Sequence, residues 1–188
     1  MRVLLTTQPG YGHFRPLLPL AHALVAAGHE VRVGTSASYA AVVEREGLTA
    51  AAVGLDWLHG IESTIPSELR PPPQANTLET YFAHKFVRMT AGRLATDVVA
   101  LSDRWRPDLI VRETTEFGGS LAAQILGLPS AALQVASPPP RSPHRQRIQA
   151  LRDEWRALPG PGQAAEAVIA LADSERTASR VDAGAHLT

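Results

Sequence analysis

The sequence predicts an α/β fold in which helices flank a parallel β-sheet. Three observations predict it: short apolar runs alternate with segments of helical periodicity, a glycine-rich loop follows the first apolar run, and glycines follow several helical segments. An alternating β-α-β order requires a parallel sheet with right-handed crossovers. The 188 residues are 45% hydrophobic, which suits one globular domain with a sizeable core.

The chain opens on a strand, a glycine-rich loop and a helix. Residues 3–7 form an apolar run typical of a buried strand, and residues 8–13 form the loop. Pro16 is expected to begin the helix, because its fixed φ and missing N–H suit the first turn. Gly28 is expected to end it as a C′ residue. One apolar face has helical spacing: Leu17, Leu20, Ala21 and Leu24.

Two further strands follow this helix. Residues 29–35 predict the second strand and residues 48–53 the third. Between them we expect a helix that Ser36 or Ser38 caps and Gly47 ends.

The next region contains a long loop and the longest helix. Residues 54–77 have no clean period and contain several prolines, and their embedded aromatic residues favour a folded binding loop. Residues 80–105 keep three- and four-residue apolar spacing with one slip, which predicts a helix capped by Thr77 or Thr80. Pro107 stops it, because proline disfavours helix in the residue before it.

The strand–helix alternation then continues to residue 135. Residues 108–111 predict the fourth strand, and residues 112–116 the loop after it. A helix over residues 117–126 ends at Gly127, and residues 130–135 predict the fifth strand.

Beyond residue 136 the alternation ends. Helices are predicted at residues 148–158 and, weakly, at residues 164–173, and residues 174–188 have no clear period. We therefore divide the chain into an α/β domain over residues 1–136 and a helical or irregular extension over residues 137–188.

Composition excludes several classes of function. Eighteen basic residues balance eighteen acidic ones, so no net positive field favours nucleic acid. The absence of cysteine excludes disulfides, thiolate zinc sites and cysteine nucleophiles. The first strand begins at Arg2, which leaves no room for a signal peptide, and no apolar run has the length of a membrane span. A cytoplasmic protein without a membrane span is the expectation.

The glycine-rich loop fits a cofactor or metal site poorly. Arg15 occupies the place of the third glycine of a G-x-G-x-x-G dinucleotide motif, and the second strand ends on Thr35 rather than on an acidic residue. A nicotinamide-dependent oxidoreductase therefore remains only a rival reading, which titration with the cofactor would test. His59 and His84 lack metal-ligand spacing, so no metal is predicted.

Residues 12–21 match the pattern G-H-x-x-P-L-x-x-L-A, and residues 26–31, 107–111 and 118–130 continue the similarity in order. Residues 1–135 thus resemble the N-terminal domain of GT-B glycosyltransferases. The nearest group uses nucleotide sugars to decorate macrolides, polyenes and aromatic polyketides. The resemblance implies a Rossmann-like domain that is the N-terminal, acceptor-binding half of the GT-B fold.

The resemblance also implies a catalytic pair. His13 corresponds to the general base that takes the proton of the acceptor hydroxyl, and Glu113 to the carboxylate that orients it, where the family more often has aspartate. An imidazole removes a proton near neutral pH, and a carboxylate on its far nitrogen fixes the tautomer. Inverting transfer at the anomeric carbon then needs no covalent intermediate. The alternatives are a His13 that caps a helix, and a Glu113 that is solvated or paired with Arg112.

Seven residues are candidates for contact with a hydrophobic acceptor: Gly10, Tyr11, Gly12, Phe14, Trp57, Phe82 and Phe86. The two loop glycines are also explained by a tight turn that needs positive φ. For Phe82 and Phe86, packing in the core at helical spacing is the favoured alternative, whereas Trp57 in its loop favours the pocket.

The donor half of the resemblance is absent. The family's C-terminal domain carries a His-x-Gly-x-x-Ser/Thr turn and an acidic pair for the nucleotide sugar, and neither is found in this sequence. We therefore expect no cofactor, a nucleotide-sugar co-substrate bound mainly by the absent domain, and a donor domain or partner glycosyltransferase in trans. The alternative is a non-catalytic, truncated homologue that binds a hydrophobic small molecule or a partner glycosyltransferase.

Overall fold

This computed structural model describes residues 1–57, 67–70, 77–134 and 160–185. Within these residues lie five strands: β1 Arg2–Thr6, β2 Glu30–Thr35, β3 Thr49–Ala52, β4 Leu109–Glu113 and β5 Ser130–Leu133. They form one parallel sheet in the order β3-β2-β1-β4-β5. The predicted α/β fold with a parallel sheet is confirmed. Because β1 lies between β2 and β4, its carboxyl end is the topological switch point where ligands bind in open α/β sheets.

Helical segments connect and flank the strands. The α-helices are α1 Tyr11–Phe14, α2 Leu18–Ala26, α3 Ala40–Arg45, α4 Leu78–Phe82, α5 Ala91–Trp105, α6 Gly118–Leu126 and α7 Pro161–Ala185. The described residues also include 3₁₀ turns at Arg15–Leu17, Ala37–Tyr39 and Ser67–Leu69 and a π-helix at Ala83–Met89.

Both faces of the sheet are covered, as a parallel sheet requires. Val3 and Leu5 of β1 face one core cluster, which includes α2 residues and Ala165 and Ala172 of α7. Leu4 faces the opposite cluster, built with α5 and α6. The alternation follows from the two-residue period of a strand.

The first helical segment begins earlier than the sequence predicts. Helical backbone starts at Tyr11, directly after the loop, rather than at Pro16, which lies in the following 3₁₀ turn. The predicted apolar face is confirmed, since Leu17, Leu20, Ala21 and Leu24 are all buried. Gly28 ends α2 at a φ of 81°, with the His29 amide donating to the Leu24 carbonyl at 3.0 Å.

The slip in the long helical pattern corresponds to the π-helix, which separates α4 from α5. Thr77 caps α4, and its hydroxyl accepts from the Thr80 amide at 3.1 Å. At the other end Arg106 adopts a φ of 37° and terminates α5 before Pro107, as predicted.

Two predicted boundaries are wrong. β4 continues to Glu113, because Glu113 pairs with Leu133 of β5, so residues 112 and 113 belong to a strand and not to a loop. Helix α7 runs to residue 185 rather than 173, although residues 174–188 show no period. Ala165 and Ala172, seven residues apart, anchor α7 in the same core cluster as α2.

Some predictions fall outside the described residues. These are the helix at residues 148–158 and the domain boundary at residue 136. In the part of the chain that the structure describes, no helix is both long and apolar enough to span a membrane.

Candidate active site

His13 and Glu113 meet at the carboxyl edge of the sheet. His13 lies on α1, which follows β1, and Glu113 is the last residue of the neighbouring strand β4. Nδ1 of His13 is 3.1 Å from Oε1 of Glu113. The histidine side chain is 24% exposed, whereas the carboxylate is fully buried. The pair therefore combines a buried anion with a ring that solvent or a ligand reaches.

Thr115 completes this pair. Its hydroxyl donates to Oε1 of Glu113 and lies 3.1 Å from Nδ1 of His13, and its amide donates to Oε2 of Glu113 at 3.0 Å. A hydroxyl has a single hydrogen, and here the carboxylate takes it. The Thr115 oxygen therefore faces Nδ1 as an acceptor, and we assign the ring hydrogen to Nδ1 on this network. Nε2 then keeps a free lone pair, which is the form of a general base.

An aromatic cluster, defined as Trp57, Phe82 and Phe86, borders the histidine ring. The Phe86 ring lies 5.7 Å from the His13 ring, 5.5 Å from Trp57 and 4.6 Å from Phe82. Phe82 is 38% exposed and Trp57 only 7%. The core-packing alternative is therefore wrong for Phe82, whose ring lies at the surface and contacts Phe86.

Trp57 is buried and packs against Phe86, so it does not line an open pocket. It packs with Met89 and Leu55, and its indole N–H donates to Oε1 of Gln8 at 2.9 Å. A buried indole needs such a partner. Trp57 thus supports the ring of Phe86 from below.

The predicted role of the Phe14 side chain in acceptor contact is wrong. Phe14 is 1% exposed and packs edge-on against Tyr39, with 5.9 Å between ring centroids. It faces the core because α1 begins at Tyr11, so that consecutive residues of the helix point in different directions. Tyr11, in contrast, is 58% exposed, and Arg15 donates to its hydroxyl at 2.9 Å.

The loop glycines do not adopt positive φ. Gly10 has a φ of −153°, which is extended backbone, and Gly12 lies inside α1. A side chain added at Gly12 would meet nothing within 4 Å. The explanation by a turn that needs positive φ is therefore wrong for these glycines.

Gln8, which the sequence analysis did not single out, connects Trp57 of the aromatic cluster to Thr115 beside the His13–Glu113 pair. Its buried amide donates to Oγ1 of Thr90 and to the carbonyl of Thr115, both at 3.3 Å, besides accepting from Trp57. A polar residue directly at the exit of a buried strand was the available signal for it.

Glu116 is a second buried carboxylate that the sequence did not single out. It accepts from the Thr6 hydroxyl at 2.5 Å and from the amides of Gly118 and Gly119, the latter at 2.9 Å. Burial raises the pKa of Glu116, the Thr6 hydroxyl and the Gly119 and Gly118 amides oppose that rise, and the charge of Glu113 adds to it. These contacts tie β1 to the N-terminus of α6.

The alternative partner of Glu113 is engaged elsewhere. The Arg112 guanidinium donates to the carbonyls of Thr114 at 2.9 Å and Glu116 at 3.2 Å, and lies over the Phe117 ring. Of the two histidines considered as metal ligands, His84 has Nε2 2.9 Å from the Leu69 carbonyl oxygen, and His59 lies outside the described residues.

A model of the family described as erythromycin biosynthesis protein CIII-like, N-terminal domain, matches residues 22–172. The chain belongs to this family. His13 precedes the matched span and Glu113 lies within it.

Relatives and solved structures agree with this assignment. The chain is 42% identical over 130 residues to L-demethylnoviosyl transferase of Streptomyces niveus, covering 69% of this chain and 33% of the relative. It is 33% identical over 171 residues to 10-deoxymethynolide desosaminyltransferase of Streptomyces venezuelae, covering 81% and 40%. The glycosyltransferase SsfS6 of Streptomyces sp. SF2575 superimposes with a TM-score of 0.58 at 35% identity, covering 73% of this chain and 41% of that one.

The predicted resemblance to GT-B glycosyltransferases of antibiotic biosynthesis is thereby confirmed. The chain spans between 33% and 41% of the length of these three proteins.

Proposed function

We propose that this chain is the acceptor-binding domain of a glycosyltransferase. The proposed reaction moves a sugar, with inversion, from a nucleotide-sugar donor to a hydroxyl of a hydrophobic natural product. The observation that carries the proposal is the 3.1 Å contact between His13 and the buried Glu113, next to the partly exposed ring of Phe86.

The chemistry of the pair suits this reaction. An alcohol is a weak nucleophile, and Nε2 of His13 takes its proton as the acceptor oxygen forms a bond to the anomeric carbon. The bond from that carbon to the diphosphate oxygen breaks, and the nucleoside diphosphate leaves with the electron pair. Glu113 stabilises the imidazolium that results, because the carboxylate is held beside Nδ1 without water around it.

The aromatic cluster suits a hydrophobic acceptor. Phe86 contacts the His13 ring, and Phe82 extends the apolar surface into solvent. Ligand sites of this kind combine apolar walls with a few placed polar groups.

The donor is proposed to bind elsewhere. The similar glycosyltransferases are more than twice as long as the matched region. We propose that a donor-binding domain outside these 188 residues holds most of the nucleotide sugar and that the residues described here supply the base and the acceptor surface.

Complementation tests the proposal. This chain is mixed with the separately produced C-terminal portion of L-demethylnoviosyl transferase, a nucleotide sugar and a panel of aromatic and macrolactone aglycones. We expect transfer only from the mixture, and a fall of about a thousandfold in His13→Ala, the scale of general base catalysis. His22→Ala, an exposed histidine on α2, is the matched control and should keep full transfer.

Two results would contradict the proposal. Transfer that persists in His13→Ala removes the base from the mechanism. Aglycone binding without transfer in any mixture favours the alternative of a non-catalytic binding module.

A further inference from the structure

Lys85 is the single lysine of the chain, and its ammonium lies between two aromatic rings. Nζ is 5.1 Å from the centre of the Trp57 ring and 4.9 Å from that of Tyr81. The side chain is half-buried, and within the described ranges no carboxylate forms an ion pair with it. Cation–π contacts hold an ammonium in place without neutralising its charge.

Lys85 is linked to the proposed base through two rings of the aromatic cluster. Lys85 and Phe86 are consecutive in the π-helix and both contact Trp57, while Phe86 also contacts His13. π-Helical insertions are frequent at functional sites. Two other cations of this region are used differently: Arg15 stacks on Tyr11, and Arg93 pairs with Asp97 at 2.9 Å.

We propose that Lys85 is an anion subsite of the acceptor site and selects flat, aromatic acceptors that carry an ionised acid group. The acid is a carboxylate or an acidic phenol on the part of the acceptor remote from the reacting hydroxyl. This inference rests on the proposed acceptor-binding function. The aromatic cluster binds the ring system, and the half-buried ammonium pairs with the anion where water screens the charges less than in bulk solvent.

Binding of paired probes to the full chain tests the subsite without any donor. The probes are 2-naphthoate and its neutral isostere 2-naphthamide, measured by calorimetry at low salt. We expect the wild type to prefer the carboxylate by about five- to tenfold, the range of one charge-assisted contact. Lys85→Gln should abolish the preference and leave naphthamide binding unchanged, whereas Lys85→Arg should retain it.

A matched charge control is available on the same π-helix. Arg88 is exposed and is not a member of the aromatic cluster, so Arg88→Gln removes one positive charge and should keep the preference. Because Lys85 is the only lysine, reductive ¹³C-methylation gives a single side-chain NMR signal. That signal should shift with naphthoate and much less with naphthamide.

Three results would overturn the subsite: equal affinity for the two probes in the wild type, an unchanged preference in Lys85→Gln, or no binding of either probe at millimolar concentration. Loss of the preference in Arg88→Gln would also overturn it, since that would reveal a diffuse charge effect. The assay needs no sugar transfer. A failed complementation with an intact preference therefore rejects the proposed catalysis alone, and the reverse result rejects the subsite alone.

Discussion

Glu113 and Glu116 are three residues apart and both fully buried, yet they belong to different regions of the molecule. Glu113 faces the edge of the sheet, where Thr115 and the partly exposed His13 contact it. Glu116 faces the interior between β1 and α6 and is bound by a hydroxyl and two backbone amides. The comparison teaches that burial of a carboxylate does not identify a catalytic group. The group that the carboxylate contacts decides whether it can take part in catalysis. Only a titratable group that a ligand can reach, such as His13, can move a proton.

Gly119→Ala tests the interior region and should have the largest effect on stability. A Cβ at this position would overlap the Thr6 hydroxyl and lie 2.7 Å from Oε2 of Glu116. We expect the free energy of unfolding to fall by about 3 kcal/mol in urea titrations. Gly92→Ala is the control, because its added Cβ meets nothing within 4 Å and alanine favours helix. Equal free energies of unfolding for the two variants would mean that the space between Gly119, Thr6 and Glu116 can accept a methyl group.

Replacing Glu113 or Glu116 with glutamine tests whether the two carboxylates have different roles. In Glu113→Gln the amide donates to Nδ1 of His13, which moves the ring hydrogen to Nε2 and blocks the base. We expect transfer in the complementation assay to fall about a hundredfold. Glu116→Gln should keep transfer within about threefold and lower the free energy of unfolding by about 2 kcal/mol.

Long-range ¹H–¹⁵N NMR of the chain alone reports the tautomer directly. The hydrogen should be on Nδ1 in the wild type and in Glu116→Gln, and on Nε2 in Glu113→Gln. The same tautomer in all three proteins would contradict the claim that Glu113, and not Glu116, sets the position of the ring hydrogen of His13.

The pH dependence of stability should come from the interior carboxylate. Burial raises the pKa of Glu116 above its ordinary value of 4.5, so the folded state binds a proton that the unfolded state has released. Stability from this group is therefore complete below pH 4.5 and is lost as the pH rises toward the raised pKa. Unfolding of the wild type and Glu116→Gln at a series of pH values isolates the effect. A difference that grows with pH would show the opposite sign.

Thr115→Val tests the hydroxyl that borders the His13–Glu113 pair and should have the smallest effect of these substitutions. It removes one hydroxyl that faces both His13 and Glu113 and keeps the side-chain shape. We expect a fall in transfer of about fivefold, with a smaller fraction of the Nδ1–H tautomer in the NMR assay. Thr115→Ser should restore both. A loss of transfer without any change in the tautomer would assign Thr115 a purely structural role.

Particular elements show how far the sequence goes. The buried strands and the apolar face of α2 are predictable because hydrophobic periodicity reports local structure directly. The contact between His13 and Glu113 is predictable for a different reason. The carboxyl ends of adjacent parallel strands lie close together. The direction of Phe14 is not, because it depends on the residue at which α1 begins.

The sequence by itself determined the α/β order and the family resemblance, because these depend on local periodicity and motif spacing, and the resemblance implied the two members of the candidate pair. Tertiary structure alone decided that the Glu113 carboxylate is fully buried, that Thr115 and Gln8 hold the site, and that Lys85 lies among aromatic rings. The physical reason is that the contacts of Thr115 with His13, Gln8 with Trp57 and Lys85 with Trp57 join residues far apart in the chain. Strand pairing and helix register set their distances, and neither leaves a periodic trace in the sequence.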